Sequence, residues 1–496
     1  MNTEAAIYQV PKFAIIGHPN EGKSSVLSTL AEDDSVRVSP FPGETTICQS
    51  FPVRIDGREI ICFIDTPGFQ NPRQTLKWFK EYQGPAEKIV SAFRACHKNT
   101  PEFHDDCELL GPVEAGAGVI FVVDGSRPVR QVDLAEMEIL RLTGAARMAV
   151  INSKEEDSSH LAGWLAEFRK NFNSVRIFNS SKATYRQRIE LLESLKSIDQ
   201  QLEPVLRRVV QVFEEDWALR IDRCASLFID MLKEVLAYRK TVPCEEGREK
   251  RVKEELQEQF QLFVSKKEHE TQAVVRHLFK HNIFRLTLPP HSILGEDLFS
   301  ERTWEFLGLN KTQLIVAGAL GGAALGVGVD AATIGTSFGI FSALGGLIGA
   351  GAAAWKGKEF LSGTKLLGMQ MGGDSLRIGP VNNIQLFYIL LDRALLFYSY
   401  VTNWAHGRRD YEAAAEKEEK LAAGGKEGFT QSWTRDEQKV CEQFFFALQQ
   451  KKEAEIEDAS ASLFKLMVEQ FQKISMGEDT KEERSSSHPA RHDYLS

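Results

Sequence analysis

The stretch Lys12–Ser25, KFAIIGHPNEGKSS, decides how the first part of this chain folds. Phe13–Ile16 is a short apolar run with the length and composition of a buried strand. Gly17 and Gly22 then bracket a loop, and Lys23 and Ser24 open a segment with helical spacing. The pattern G-x-x-x-x-G-K-[ST] in a strand–loop–helix setting builds a phosphate cradle. Glycine at its two ends lets backbone N–H groups curl around phosphate oxygens without a Cβ in the way. The helix after the loop adds the positive end of its dipole.

Working outward, β-rich runs recur at Lys12–Gly17, Gln49–Ile55, Glu59–Asp65, Gly118–Asp124, Arg147–Asn152 and Ser174–Asn179. Helical patterns such as Val132–Leu142 and His160–Phe172 lie between them. This alternation predicts an α/β domain over residues 1–203, a mostly parallel sheet with helices on both faces. The runs Gln49–Ile55 and Glu59–Asp65, joined by Asp56-Gly57, read as an edge hairpin. Two further features sit where strands end. Asp65-Thr66-Pro67-Gly68 closes the third run, and Gly43-Glu44-Thr45-Thr46 precedes the second. A carboxylate at a strand's C-terminal edge beside a phosphate loop suits a Mg²⁺ shell, with Ser24 as a hydroxyl ligand. Gly68 offers an N–H to a γ-phosphate, and Lys23 reaches the β- and γ-phosphates.

These residues carry a resemblance. Residues 10–200 look like a GTPase domain of the Era/TrmE type, and the likeness implies a role for each motif. Gly17, His18, Pro19, Asn20, Glu21, Gly22, Lys23, Ser24 and Ser25 match the phosphate loop, and Asp65–Gly68 match the second switch. Thr45 or Thr46 matches the switch threonine that completes the Mg²⁺ shell. Counting back from Asp65 favours Thr46, and the Asp56-Gly57 turn shifts that register by one if it carries an extra residue. Val119–Pro128 matches the next core strand. The base-reading motif departs from N-K-x-D: Asn152 matches its asparagine, Ser153 replaces its lysine, and Glu155 stands where the family has aspartate, with Asp157 the other candidate. A carboxylate there accepts two hydrogen bonds from guanine that adenine does not offer. Ser180 and Ser181, within Asn179–Lys182, match the loop that contacts the base. GTP and GDP are therefore the expected ligands, with Mg²⁺ as cofactor. Lys23, Thr46 and Gly68 are the expected groups on the reacting phosphate.

Phe69 comes directly after Gly68, where many GTPases place a glutamine that orients water. Phenylalanine can neither donate nor accept a hydrogen bond. In TrmE-like relatives a phosphate-loop asparagine helps bind K⁺, and Asn20 holds that position. Slow, K⁺-stimulated hydrolysis and pairing of two such domains across their nucleotide faces are the expectations. The segment Gln70–Pro112 is longer than a switch helix requires and contains Cys96, His97, His104 and Cys107. Adjacent Cys96 and His97 chelate poorly, so this reads as an insertion rather than a zinc site.

After Pro204 the texture becomes helical. An apolar stripe runs through Leu206, Val209, Val210, Phe213, Trp217, Ile221, Phe228, Leu232 and Val235. Residues 204–310 read as a helical domain and 359–475 as its continuation, an all-α C-terminal region, with 476–496 a disordered tail. Between them, 311–358 reads as a glycine-rich hydrophobic hairpin. Of 37 glycines, 11 fall between Thr312 and Trp355, a stretch whose only charge is Asp330. Gly318, Gly322 and Gly326 recur every four residues, a spacing that lets helices approach closely in lipid. Lys311, Lys356 and Lys358 flank it, as the positive-inside tendency asks of a hairpin with cytoplasmic ends. Membrane association through 312–354 is expected, against a buried soluble hairpin. Ile384–Trp404 reads instead as a core helix, because Asp392-Arg393 at its centre is costly in lipid.

The whole layout resembles a bacterial family that fuses an Era-like GTPase domain to a helical domain of unknown function. It implies a cytoplasmic protein, peripheral or inserted at the inner membrane. With 60 Lys plus Arg against 69 Asp plus Glu the chain has no basic surplus, which argues against a nucleic-acid partner. The Era likeness itself suggests the contrary alternative, a ribosome- or RNA-associated GTPase. Phe69 and the altered base motif keep a nucleotide-binding scaffold without turnover in view. Seven cysteines, an odd number without repeated spacing, fit a reducing compartment.

Overall fold

The computed structural model describes residues 10–18, 20–32, 45–153, 159–180, 183–280, 370–372, 375–382, 384–403 and 429–477 of the 496. The glycine-rich segment 311–358 and the tail from 478 lie outside the described residues.

Strands β1 (Lys12–Ile16), β2 (Gln49–Ile55), β3 (Arg58–Asp65), β4 (Gly118–Asp124), β5 (Arg147–Asn152) and β6 (Ser174–Phe178) form one sheet in the order β2-β3-β1-β4-β5-β6. Every pairing is parallel except β2 with β3, the hairpin at the edge. Its turn places Asp56 at φ 49° and Gly57 at φ 74°, the left-handed pair that a tight hairpin needs. Between Val53 and Arg54 the register shifts, so the hairpin does carry an extra residue.

The strands read as unbroken apolar runs because both faces are covered. Phe13, Ile15, Ile120, Val122, Met148 and Val150 face one core with helix α1 (Lys23–Ala31). Ala14, Ile16, Val119, Phe121, Ala149 and Ile151 face the other, with Met137, Ile139 and Leu140 of α5 (Gln131–Leu142) and Trp164 and Phe168 of α6 (Leu161–Asn171). Each fully buried side chain of this size contributes about 1.5–3 kcal/mol relative to exposure. The insertion after β3 folds as α2 (Pro72–Glu81), α3 (Ile89–His97) and α4 (His104–Glu114) on this second face. His97 lies among aromatic rings, 4.4 Å from Phe103 and 4.8 Å from Phe93, while Cys96 is exposed and Cys107 buried. Among the described residues no cluster of three or more His, Cys, Asp or Glu side chains is arranged to hold a metal ion. None of the seven cysteines is disulfide-bonded.

Helix α7 (Tyr185–Leu195) leads to α8 (Glu203–Leu236), 34 residues and about 50 Å long. Pro204 sits in its first turn, where a missing N–H costs nothing. Its apolar stripe changes partner along its length. Leu206, Val209, Val210 and Phe213 bury against the α/β core, whereas Ile221 through Leu236 join a second core. The helix that begins at the expected domain boundary therefore belongs to both domains. The second core is completed by α9 (Glu249–Leu278), α10 (Ile384–Asn403), α11 (Arg435–Gln450) and α12 (Glu453–Met476). Among the described residues this region is largely helical, and a small sheet departs from the all-α expectation. Strands β7 (Lys240–Pro243), β8 (Gln370–Gly372) and β9 (Ser375–Ile378) form an antiparallel sheet in the order β7-β9-β8. A four-residue strand ending in proline, inside a polar stretch, leaves no alternation to read.

Among the described residues α10 is the one helix long and apolar enough to cross a membrane, and it is packed inside the helical core. Its two central charges are each satisfied. Arg393 donates from Nε and Nη2 to Glu268 of α9 at 2.6 and 2.9 Å. Asp392 accepts from the Thr430 amide at 2.8 Å and its hydroxyl at 2.9 Å, and burial pushes its carboxyl up to about 7.

The two domains meet at a buried charge. Glu32, which caps α1 in the left-handed region at φ 50°, is only 4% exposed. Its carboxylate faces Arg188 of α7 at 2.6 Å, Arg220 of α8 at 2.9 Å and Lys280 just past α9 at 3.0 Å. Arg220 also pairs with Asp216, and Tyr185 stacks on Trp217 at 4.0 Å beside it.

Candidate functional site

The site lies at the C-terminal ends of β1, β3 and β4, where the chain leaves β1 first to one side of the sheet and then to the other. Open α/β sheets bind ligands at this switch point. Gly17 has φ +154°, and a Cβ there would come within 2.2 Å of the Val122 carbonyl oxygen on β4. Only glycine lets the loop leave the sheet this close to its neighbour. Gly22 at φ 89° forms the N-cap of α1, and Asn20 between them is also left-handed at φ 70°.

Lys23, at the first position of α1, reaches back to donate to the His18 carbonyl at 3.3 Å. Burial lowers its pKa, opposed by the charges of Asp65, Glu136 and Glu21. Across the crevice Asp65 is 5% exposed. Burial raises its pKa, opposed by Lys23, by the Thr45 hydroxyl, by the Thr66 amide and by the Ser24 hydroxyl. Thr45 donates to Oδ2 at 3.2 Å, while buried Oδ1 has no partner among the described residues. A carboxylate with an orphaned oxygen, the Thr45 hydroxyl on it and the Ser24 hydroxyl at the start of α1 make a hard-oxygen donor set, and it fits Mg²⁺. The threonine on this carboxylate is Thr45, and Thr46 is exposed. Val53 pairs with Ile61 and Arg54 with Glu59, so the extra residue is Ile60 of β3, and it lies between the threonines and Asp65, where an ungapped count goes wrong by one. Gly68 lies further along the same loop, and Phe69 turns into the apolar core, 4% exposed.

At the other end Asn152 joins three loops. Its Nδ2 donates to the Glu21 carbonyl at 3.2 Å, and its Oδ1 accepts from the Ser180 amide at 3.2 Å and hydroxyl at 3.0 Å. Thr29 of α1 donates to the Ser180 carbonyl at 3.0 Å. Asn152 therefore positions the phosphate loop and the sixth-strand loop, and Ser180 takes part through its backbone as well as its hydroxyl. Pro19, Glu155, Asp157, Ser181, Gly43 and Glu44 lie outside the described residues.

Two phosphate-loop side chains turn into the protein. Glu21 accepts from Arg127 Nε at 2.7 Å and from the Asp124 amide, so a nucleotide would meet its backbone only. Arg127 is gripped on its far side by Asp133 at 2.7 and 2.9 Å and lies over Trp164. Burial pushes the Asp133 carboxyl up, but the hydrogen bonds from Arg127 and Arg130 outweigh it and hold the group below the usual range. His18 meets the fully buried Glu136 at 3.3 Å, whose pKa burial raises. Arg127, Asp133 and Glu136 buttress the loop, yet they lie more than a hundred residues along the chain. Arg127 belongs to the Val119–Pro128 core-strand run, but nothing local in the sequence marks its partner.

The profile described as 50S ribosome-binding GTPase matches residues 12–153. Residues 166–469 match the domain of unknown function DUF3482. GTPase Der of Agathobacter rectalis is 30% identical over 142 residues, covering 29% of this chain and 27% of that protein. GTPase Der of Listeria welshimeri is 25% identical over 182 residues, covering 35% and 36%. The chain thus spans about a third of the length of the curated relatives it matches. Among solved structures, Era in complex with MgGDPNP and nucleotides 1506–1542 of 16S ribosomal RNA aligns with 38% of this chain and 57% of that one, at 20% identity and a TM-score of 0.28. NFeoB of S. thermophilus bound to GMPPNP aligns with 54% and 91%, at 17% identity and a TM-score of 0.23. The first domain is homologous to Der-type GTP-binding proteins.

Replacing Asn152 with alanine removes three buried hydrogen bonds, each worth about 1 kcal/mol net. The expected result is a loss of roughly 10- to 100-fold in affinity for fluorescent GDP by titration, with the fold retained by circular dichroism. An unchanged affinity would show that Asn152 does not organise the site.

Proposed function

We propose that this chain, which belongs to the DUF3482 family and carries a GTPase domain of the Der and Era type ahead of that domain, is a GTP-hydrolysing switch that acts on its own helical C-terminal domain. The observation that carries this reading is Glu32. It ends α1, the helix that begins at Lys23 of the phosphate loop, and its carboxylate is held by cations of α8 and of the α9 terminus. A segment ordered by the γ-phosphate and released by hydrolysis changes what is attached to it. Here the attachment runs from the end of α1 into the second core.

Lys23 and the loop amides would bind the phosphates, and Ser24, Asp65 and Thr45 would hold Mg²⁺. The metal, when bound, neutralises charge building between the β- and γ-phosphates. The Gly68 amide and the switch threonine would orient the γ-phosphate. Phe69 supplies no hydrogen bond to water, which supports slow intrinsic turnover. Asn20 would help hold K⁺ and so supply the missing positive charge, with a second G domain facing the first. In a phosphate-release assay at concentrations that permit pairing, K⁺ should raise the rate over Na⁺, and Lys23→Ala should abolish it. Equal rates in the two salts would remove the K⁺ proposal. No release from wild type in either would leave a binding scaffold.

The effector end is proposed to seek lipid through 312–354, which gives the protein a station at the cytoplasmic face of a bacterial inner membrane. One finding favours a second reading. The matched profile is described as ribosome-binding, and Era has been solved with ribosomal RNA, so the charge argument against nucleic acid has no support among relatives. Flotation with anionic vesicles and sedimentation with ribosomal subunits, each with GDP and with a non-hydrolysable GTP analogue, separate the two. The full chain should float and a variant lacking 312–354 should not. GTP-dependent migration with subunits, without flotation, would overturn the membrane reading in favour of RNA.

A further inference from the structure

The insertion helix α4 touches both segments that the switch reading assigns to the γ-phosphate. Asp106, fully buried, accepts from the Gln70 amide through Oδ1 and from the Asn71 amide through Oδ2, each at 3.1 Å. The Thr75 hydroxyl adds a third donor at 3.3 Å. Gln70 and Asn71 stand two and three residues after Gly68. Asp106 is not merely capping α2, because its two amide partners precede that helix. The amides of Gln74 and Thr75 inside the first turn return to the Asn71 carbonyl instead. The carboxylate holds the loop.

Close by on α4, Glu108 reaches the other segment. Its Oε1 accepts from the Cys48 amide at 3.3 Å, and its carbonyl accepts from the Cys48 thiol at 3.3 Å. Cys48 lies three residues after Thr45, which sits on Asp65. The helix itself is firmly seated. Leu109, Leu110 and Val113 are buried, and Arg94 of α3 binds the Cys107 carbonyl at 2.9 Å and pairs with Glu114.

From this geometry we infer that Asp106 and Glu108 are positioning residues that tie the two switch segments to one helix, so that Thr45 and Gly68 approach or leave a γ-phosphate together. With the apolar Phe69 after Gly68, the described switch residues offer the γ-phosphate Thr45, Thr46 and the backbone, and holding them in step matters the more. The inference rests on the GTP-switch reading and adds the insertion as its coupling element.

On the switch reading GDP is held by the phosphate loop and the base loops, and among the described residues the hydrogen bonds of Asp106 and Glu108 go to neither. Asp106→Asn, nearly isosteric, and Glu108→Ala, at a half-buried position, should therefore leave GDP affinity within about twofold while weakening a non-hydrolysable GTP analogue about tenfold. The double variant should lose little more than either single one, because both act on one unit. The proposal fails if both variants weaken GDP and the analogue equally, if neither changes the ratio, or if the two losses multiply. Should Asp106→Asn not fold, Glu108→Ala alone decides by the same ratio. Wild type that binds neither nucleotide would instead defeat the switch reading itself.

Discussion

A single carboxylate fixes how the two halves of this chain sit together. Glu32 is almost inaccessible and faces two guanidiniums and an ammonium drawn from three different elements. A buried ion pair adds little net stability when complete, because desolvation offsets attraction. Breaking one is costly, roughly 3–5 kcal/mol, since it strands a charge in a poor solvent. That asymmetry makes the cluster a constraint more than a glue. The end of α1 cannot shift far without carrying α7, α8 and the α9 terminus with it. Helix α8 reinforces this, since its first turns bury in the α/β core and its later turns in the helical core.

The site shows a complementary division of labour. Its phosphate loop is immobilised from behind by Arg127 on Glu21, by Glu136 on His18 and by Asn152 on the Glu21 carbonyl. Its front is different. Asp65 keeps an oxygen without a partner among the described residues, and the ammonium of Lys23 makes one long hydrogen bond, to a loop carbonyl. A rigid cradle with unsatisfied groups turned toward the ligand is pre-organised for an anion and a divalent cation together. The switch segments are held by α4, whose Asp106 and Glu108 carboxylates accept from the Gln70, Asn71 and Cys48 amides at 3.1–3.3 Å.

Much of the first domain was legible in the sequence because local pattern and tertiary environment agree there. Strands buried on both faces must be unbroken apolar runs, and β2, β4 and β5 begin and end where the residues indicate. The phosphate loop was legible because glycine at 17 and 22 answers a steric demand, at Gly17 the carbonyl of Val122. What escaped reading is non-local. The partners of Arg127 and Glu32 and the clamp of Asp106 all depend on contacts between residues distant in the chain. Periodicity also held no hint that α8 changes core midway, since both partners ask for the same stripe. The sheet of β7, β8 and β9 joins segments more than a hundred residues apart and too short to alternate.

On this mechanism nucleotide state at the cradle is felt in the C-terminal domain through Glu32. Amide hydrogen exchange on the full chain, compared between GDP and a non-hydrolysable GTP analogue, tests it most directly. Coupling through Glu32 predicts altered protection in 203–236 and 249–278 as well as around 45–75, with the first two changes lost in Glu32→Gln while nucleotide still binds. Exchange differences confined to residues 12–180 in the unmodified chain would contradict it.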